Sequence, residues 1–258
     1  MKVVILCGGL GTRMRDQTEF RPKPMVEIGG RPILWHIMKL YAHHDFREFV
    51  LCLGYKGTMI KEYFLKYEAM NSDFTVRLGR QREVHYHSDS REPDLSVTLL
   101  DTGQETMTGG RVLRTKPHVT ENTFMVTYGD GVSDVDVRAL ERFHRSHGKL
   151  ATVTTVKASS QFGILDIANT GQVSSFAEKP QIDGWISAGF LVFDRRVFDY
   201  LDGDACILER EPMERLVREG QLVAYQHEGF FYSMDTYREY LHLNKLWASG
   251  QAPWKVWP

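Results

Sequence analysis

The sequence predicts an α/β protein with one domain, built on a mixed, mainly parallel sheet that is flanked by helices. Two apolar runs, residues 2–7 and 49–53, each end at glycine and are typical of buried parallel strands. A helical pattern follows each run, and the order strand, helix, strand, helix favours right-handed crossovers within one sheet. We therefore expect the N-terminal half to form the parallel part of the sheet.

The later elements predict a more antiparallel C-terminal part. Between Glu83 and Leu100 the apolar residues alternate, which favours antiparallel ribbon or edge strands. Pro32 is suited to the start of a helix. Further strands are predicted at residues 124–128, 151–156, 162–167, 173–176, 186–193 and 222–225. Helices are predicted at residues 57–67, 135–147, 196–200, 211–218 and 236–247. No Pro/Gly/Ser-rich linker divides the 258 residues, so we predict a single domain over 1–258.

The composition limits the kinds of ligand. The chain carries 32 basic and 33 acidic residues and a net charge of -1, so no overall field draws it to nucleic acid or an anionic membrane. Three cysteines without a Cys-x-x-Cys pair suggest neither a disulfide framework nor a zinc site. No apolar run approaches the ~20 residues that span a bilayer, and no signal peptide is recognisable. A cytoplasmic location is the expectation.

A glycine-rich loop follows the first predicted strand, in the segment from Cys7 to Arg13. Glycines at a strand's carboxyl end let backbone N–H groups approach phosphate oxygens, and Arg13 adds a forked cation. The segment is not a P-loop, because no lysine follows Gly11. It is not a dinucleotide fingerprint either, because Met14 stands in place of the third glycine. The simpler interpretation is a tight turn beside an exposed arginine.

Lys23 lies between Pro22 and Pro24, which stiffen the backbone around it. A stiff segment suits a cation that must meet a phosphate group in a fixed place. The alternative is a rigid surface loop with a solvated lysine.

Acidic residues end two of the predicted strands. Asp130, between glycines, could hold Mg²⁺ through its oxygens, although an isolated Asp-Gly pair more often forms a turn. Asp235 precedes the last predicted helix and is favoured as an N-cap, and Asp136 is expected to cap the helix after it. Glu178 with the following lysine could bind a sugar phosphate, or could be an exposed charge pair.

These segments occur in an order that resembles the sugar-1-phosphate nucleotidyltransferases, and more closely the glucose-1-phosphate cytidylyltransferases among them. The similarity runs from end to end and rests on residues 8–13, 23–30, 32–39, 54–57, 107–111, 127–131, 178–180, 234–236 and 252–255. It implies a Rossmann-like sheet, a homo-oligomer, Mg²⁺ as cofactor, and CTP and a sugar 1-phosphate as partners. It also implies a nucleotide-binding half, about 1–135, and a sugar-binding and oligomerisation half, 136–258.

The resemblance assigns a role to each matching residue. The nucleotide-binding set is Leu6, Cys7, Gly8, Gly9, Leu10, Gly11, Thr12, Arg13, Lys23, Thr108, Gly109, Gly110, Arg111 and Gly129. The sugar-phosphate set is Gly163, Glu178, Lys179, Ser187 and Ala188, and the metal ligands are Asp130 and Asp235. Arg13, Lys23 and Asp130 are the expected catalytic residues.

The implied reaction is transfer of a cytidylyl group from CTP to α-D-glucose 1-phosphate, giving CDP-glucose and pyrophosphate for deoxysugar or O-antigen synthesis. A phosphate monoester, with a second pKa near ~6, needs no strong general base, so cations and Mg²⁺ are expected to do the chemistry. Departures from the family pattern leave the sugar open, and they lie at Gln161, Ser187, Ala188, Phe231, Tyr232 and Ser233. The alternatives are the same chemistry with dTTP or UTP, and a non-catalytic nucleotide-sensing subunit.

Overall fold

A computed structural model describes residues 1–11, 14, 18–79, 83–87, 94–159, 162–178 and 181–258, without the side chains of 158, 159 and 181–183. The elements of the first half, in chain order, are β1 (Val3–Leu6), a 3₁₀ turn (Lys23–Met25), β2 (Glu27–Ile28), β3 (Arg31–Pro32), α1 (Ile33–His43), β4 (Glu48–Leu53), α2 (Gly57–Leu65), α3 (Tyr67–Asn71), β5 (Phe74–Arg77), β6 (Glu83–Tyr86), β7 (Ser96–Asp101), α4 (Thr108–Arg114), β8 (Thr123–Tyr128) and β9 (Gly131–Ser133).

The elements of the second half are α5 (Val137–His147), β10 (Ala151–Ser159), β11 (Ile164–Ile167), β12 (Val173–Ala177), β13 (Gln181–Asp194), a 3₁₀ helix (Arg195–Tyr200), α6 (Glu211–Arg218), β14 (Leu222–Gln226), β15 (Phe231–Ser233) and α7 (Tyr237–Ala248).

Within the described residues, seven strands form one sheet in the order β14-β10-β13-β8-β1-β4-β7. The strands β8, β1, β4 and β7 run parallel, whereas β13 is antiparallel to both of its neighbours. This confirms a mixed, mainly parallel sheet whose antiparallel part comes from the second half.

The side chains of strand β1 are buried on both faces of the sheet. Its four residues are all buried, and alternate ones belong to two separate hydrophobic clusters. Val3 and Ile5 join the cluster that contains α1 and α7, while Val4 joins the cluster that contains Val112 of α4. A continuous apolar run is what a strand buried on both faces requires.

Several predicted boundaries change in the structure. The single helix predicted over 57–67 is instead two helices, α2 and α3, with a break at Lys66. Helix α5 begins at Val137 because Asp136 caps it, its Oδ1 accepting a hydrogen bond from the Ala139 N–H at 2.8 Å. That cap was predicted.

The alternating region contains two kinds of strand. Strand β6 pairs antiparallel with β5 in a separate hairpin, as the alternation predicts. Strand β7 lies at the edge of the main sheet, where it runs parallel to β4. A second hairpin, β11–β12, also stands outside the main sheet.

The C-terminal segment packs back onto the N-terminal half. Trp254 and Trp257 are buried, and the indole N–H of Trp254 donates to Nδ1 of His36 in α1 at 3.3 Å. Gly29, at φ +60°, leaves room for Trp247, since a Cβ there would meet the indole at 1.9 Å. None of the helices in the described part of the chain is long and apolar enough to cross a membrane.

Candidate active site

A cavity of about 530 Å³ opens at the carboxyl ends of β1 and β8, beside the segment that follows β7. Ligands of open α/β sheets bind at this edge, because the loops that leave neighbouring strands converge there. We call it the first cavity, and it is lined by residues 6–11, 23, 24, 104–108, 111, 128–130 and 235.

The glycine-rich loop forms one wall of the first cavity. Gly8 has no room for a side chain, since a Cβ there would lie 2.2 Å from the guanidinium of Arg111. Gly11 has φ +62°, and Thr18 secures it by donating to the Gly11 carbonyl at 2.9 Å. Gly8, Gly9 and Gly11 thus present backbone without a side chain at the wall of the cavity. Thr12 and Arg13, both predicted to bind the nucleotide, lie outside the described residues.

Arg111 fixes this loop from behind. Its side chain donates to the carbonyls of Leu53 and Gly103 at 3.1 and 2.8 Å, and to the Gly8 carbonyl at 3.2 Å. Burial lowers the pKa of Arg111, and the buried cation is compensated mainly by these carbonyl dipoles. The guanidinium therefore lines the cavity while holding the loop after β1 to the segment after β7.

The predicted nucleotide segment 108–111 is divided by the structure. Thr108 and Arg111 line the first cavity. Gly109 and Gly110 face the other way, where a Cβ would meet Cys206 at 2.5 Å and Asp204 at 2.8 Å. These two glycines let α4 approach residues 203–206, and neither is among the residues that line the first cavity.

Lys23 contacts two carboxylates at once. Its Nζ donates to Asp130 Oδ2 at 2.5 Å and to Asp235 Oδ1 at 2.7 Å. The lysine side chain is 11% exposed and each aspartate side chain 31%. Burial alone would lower the pKa of Lys23, but the charges and hydrogen bonds of the two aspartates outweigh it, so the pKa is raised. We call these three residues the ion cluster.

Asp235 is not the N-cap of α7, which corrects the interpretation favoured for it in isolation. Thr236 caps this helix in a capping box with Glu239, whose Oε2 accepts from the backbone N–H groups of Asp235 and Thr236 at 2.6 and 2.7 Å. The capping box satisfies the free backbone N–H groups at the start of α7 without the Asp235 carboxylate. That carboxylate instead accepts a hydrogen bond from Lys23, which lies 212 positions away in the sequence.

A second cavity, of about 250 Å³, adjoins the first. It is lined by residues 127, 128, 130, 131, 186–190, 231, 233 and 235. Ser187 and Ala188, predicted to bind the sugar phosphate, lie here. Tyr128, Asp130 and Asp235 line both cavities, so the ion cluster stands at the boundary between them.

Residues 2–230 match the family model described as nucleotidyl transferase. The chain belongs to the nucleotidyl transferase family. The glucose-1-phosphate cytidylyltransferase of Salmonella typhimurium is 50% identical over 260 residues, with 100% of each chain covered. The probable glucose-1-phosphate cytidylyltransferase of Bacillus subtilis is 45% identical over 259 residues, again with 100% of each chain covered.

Solved structures share the fold of this nucleotidyl transferase. HddC from Yersinia pseudotuberculosis has a TM-score of 0.71 at 22% identity, covering 95% of this chain and 99% of that chain. UDP-glucose pyrophosphorylase complexed with UDP-glucose has a TM-score of 0.68 at 13% identity, covering 96% and 98%. The predicted family and fold class are confirmed.

Two predicted sugar-phosphate residues of this nucleotidyl transferase meet at the base of the β11–β12 hairpin. A Cβ on Gly163 would come within 3.2 Å of Glu178 Oε2. Neither residue is among those that line the two cavities. Lys179 lies outside the described residues.

Glu209 is a site residue that the sequence did not reveal. Its carboxylate accepts from the Thr108 hydroxyl at 2.6 Å and also from the Tyr128 hydroxyl, and both partners line the first cavity. Burial, followed by the negative charge of Glu209, raises the pKa of Tyr128. In the sequence, Glu209 lies in a charged stretch before α6 and resembles an ordinary surface residue. Nothing in the sequence around it therefore predicts its contacts with Thr108 and Tyr128.

Proposed function

We propose that this chain transfers the cytidylyl group of CTP to α-D-glucose 1-phosphate, forming CDP-glucose and releasing pyrophosphate. The observation that carries the proposal is the ion cluster of Lys23, Asp130 and Asp235 at the boundary of two cavities. Two bound phosphates would meet at that boundary. The end-to-end similarity to cytidylyltransferases supports the choice of CTP and glucose 1-phosphate.

We assign CTP to the first cavity and the sugar phosphate to the second. Apart from Asp235, the first cavity is lined entirely by residues 6–130, and it includes the glycine-rich loop. The second cavity takes most of its lining from the second half, with residues 186–190 of β13 and residues 231, 233 and 235, and the rest from residues 127, 128, 130 and 131 around the end of β8. This division supports a nucleotide-binding half over about 1–135 and a sugar-binding half over 136–258, within one domain.

The residues present suit a magnesium ion. Asp130 and Asp235 converge on a single cation, the ammonium of Lys23, which shows that the position favours positive charge. Mg²⁺ is typically bound by one or two carboxylates together with substrate phosphates and water. Substrate phosphates and water would complete the coordination of an ion held by these two carboxylates. When bound, Mg²⁺ would supply charge neutralisation at the phosphates.

The protein's own contribution is positioning and charge. The phosphate oxygen of the sugar phosphate attacks the α-phosphorus of CTP in line, and pyrophosphate leaves. Lys23 stabilises the charge that develops on the phosphates, and the glycine-rich loop offers backbone N–H groups to the triphosphate. Arg13 and Thr12 are proposed to bind the same triphosphate.

The attacking phosphate needs no strong base, since a phosphate monoester is about doubly ionised at neutral pH. A serine, a histidine and an aspartate do cluster nearby, but Ser133 Oγ and Asp134 Oδ1 both contact the same nitrogen, Nε2 of His227, at 3.4 and 2.8 Å. A nucleophilic triad needs its serine and aspartate on opposite ring nitrogens. This cluster therefore joins β9 to the segment before β15, and it is not a catalytic triad.

A different sugar 1-phosphate is the second candidate, because departures from the family pattern line the second cavity. Ser187, Ala188, Phe231 and Ser233 all contribute to its wall. The Ser187 hydroxyl accepts the Gly189 N–H at 3.3 Å, and the Phe231 ring packs over Gly131, where a Cβ would lie 3.2 Å away. These side chains would contact the sugar, so they could select a sugar other than glucose.

The test is a matrix of substrates with products identified by mass. CTP, dTTP, UTP and GTP are each combined with glucose 1-phosphate and with a panel of other sugar 1-phosphates, in the presence of Mg²⁺. CDP-glucose is expected as the main product. A dominant product carrying another base, or no nucleotide sugar at all, would overturn the proposal, while a CDP-sugar other than CDP-glucose would replace glucose only.

We also propose a homo-oligomer in the cytoplasm. The three cysteines are free thiols, which suits a reducing compartment. Leu65 of α2, Met70 of α3 and Leu78 after β5 are large apolar side chains that are mostly exposed, and burial of such side chains favours association. Sedimentation velocity would measure the number of subunits, and a monomer at all concentrations would contradict the oligomer.

A further inference from the structure

The ion cluster contains one cation that lies where the proposed metal would bind. The ammonium of Lys23 is within 2.5 and 2.7 Å of one oxygen each from Asp130 and Asp235. Two neighbouring carboxylates without a cation would repel one another. The lysine therefore acts as the counter-ion of the pair in the ligand-free protein.

We propose that Lys23 is a resident substitute for the divalent ion, and that the ion binds Asp130 and Asp235 only by displacing the ammonium. This inference depends on the metal site of the proposed function. It goes further by making Lys23 and the metal competitors for the same two carboxylates.

Distance and charge support displacement. Mg²⁺ binds oxygen ligands at about 2.0–2.1 Å and requires near-octahedral geometry. An ammonium already within hydrogen-bonding distance of both carboxylates leaves little room for a second, doubly charged ion between them. Retaining both cations would bring like charges together at a site that is only partly exposed.

The backbone at Lys23 is held in place, whereas the end of the lysine side chain can move. Lys23 begins a 3₁₀ turn between Pro22, which has φ −68°, and the buried Pro24. The lysine side chain itself is a flexible four-carbon stem. Its Cβ lies 3.4 Å from the position of a Cβ built on Gly11, so the stem starts beside the glycine-rich loop.

The consequence is an exchange of partners. An ammonium released from the carboxylates lies in the first cavity, next to the loop to which we assign the triphosphate. Metal binding and delivery of Lys23 to phosphate are then one coupled event. Such coupling is reciprocal, so a phosphate that attracts the lysine also frees the carboxylates for the metal.

The first test measures Mg²⁺ binding to the ligand-free protein by isothermal titration calorimetry. Lys23→Met removes the competing ammonium and keeps an unbranched side chain, so it is expected to bind Mg²⁺ about tenfold or more tightly than the wild type. Lys149→Met, at an exposed position after α5, is the matched control and should bind like the wild type. Circular dichroism establishes that each variant is folded.

The second test follows the lysine itself, because removing any nearby positive charge would strengthen metal binding somewhat. In ¹⁵N-labelled protein the hydrogen-bonded Lys23 ammonium gives a side-chain resonance, assigned by its absence from Lys23→Met. Mg²⁺ without substrate is expected to shift or abolish this resonance in step with the calorimetric saturation.

The outcomes separate this inference from the proposed function. An unchanged Lys23 resonance at saturating Mg²⁺, or equal affinity in Lys23→Met and wild type, would overturn displacement and leave the metal site standing. Absence of Mg²⁺ binding in both ligand-free proteins would overturn displacement as proposed here, and the proposed function would still be decided by the substrate matrix in the presence of Mg²⁺.

Discussion

Acidification is expected to destabilise the protein through His36, which lies fully buried in α1. Its two ring nitrogens have defined roles: Nδ1 accepts from the Trp254 indole N–H at 3.3 Å, and Nε2 donates to the Ile28 carbonyl at 2.9 Å. This arrangement requires the neutral ring, since protonation would set a second N–H against that of the tryptophan. Burial accordingly lowers the pKa of His36 from 6.5 to about 4.

The sign and size of the effect follow from proton linkage. Between pH 6.5 and about 4 the unfolded chain binds a proton at this histidine and the folded protein does not, so stability falls as the pH falls. Stability is fully present above pH 6.5, and the loss ends below about pH 4. At about pH 4.5 the loss from His36 amounts to about 2.5 kcal/mol.

The assay compares urea unfolding at about pH 7.5 and about pH 4.5, followed by tryptophan fluorescence, for wild type and His36→Gln. The pH-dependent loss should be about 2.5 kcal/mol smaller in His36→Gln, whatever its absolute stability. His144, whose pKa burial also lowers to about 4, contributes equally to both proteins and cancels. His85→Gln, on the exposed strand β6, is the control. An identical pH-dependent loss in wild type and His36→Gln would refute the reasoning.

Changes at the candidate active site give three more predictions. Lys23→Ala should lower turnover by about two to three decades, or ~3–4 kcal/mol. Circular dichroism should show that the variant is folded, and Lys149→Ala is the control that should stay active. A rate near that of the wild type would exclude the role assigned to Lys23. Asp130→Asn should raise the Mg²⁺ concentration for half-maximal rate by about tenfold, and an unchanged metal titration would remove Asp130 from the site. Glu209→Ala should raise KM by about tenfold with a smaller effect on kcat, because the Tyr128 hydroxyl loses a charged acceptor. Tyr128→Phe should also raise KM by about tenfold. If the two residues act through one shared contact, the double variant should be little worse than either single variant. Fully additive effects on KM would count against that contact.

Much of the fold was predictable because it depends on local patterns. The apolar run of β1 continues for the length of the strand, since both faces are buried. Helix α6 has the predicted bounds, Glu211–Arg218, and Asp136 caps α5 as expected. Such features are determined by residues within a turn or two, so sequence patterns report them directly.

Contacts between distant parts of the chain were less predictable. Asp235 was favoured as a helix cap, because the nearby sequence does not show that Thr236 and Glu239 already satisfy the backbone. Its partner Lys23 is 212 positions away. Resemblance to a family suggested the carboxylate's role, and only the folded chain brings it to the lysine.

The same limit applies to the predicted nucleotide segment. The resemblance grouped Gly109 and Gly110 with Thr108 and Arg111, but successive residues of a helix point in different directions. Their lack of side chains serves the packing of α4 against residues 203–206. Glu209 was missed because its two hydroxyl partners come from elements 81 and 101 positions away.

Tyr128 belongs to the walls of both cavities and is held from both sides. Glu209 binds its hydroxyl, and its ring fills the space above Gly189, where a Cβ would lie 2.3 Å away. A substitution that enlarges one cavity through this ring therefore reshapes the other. Substitutions that change the preference for the sugar should therefore also change the preference for the base, and their effects should not be additive. A new specificity, evolved or designed, would require both cavities to change together around Tyr128.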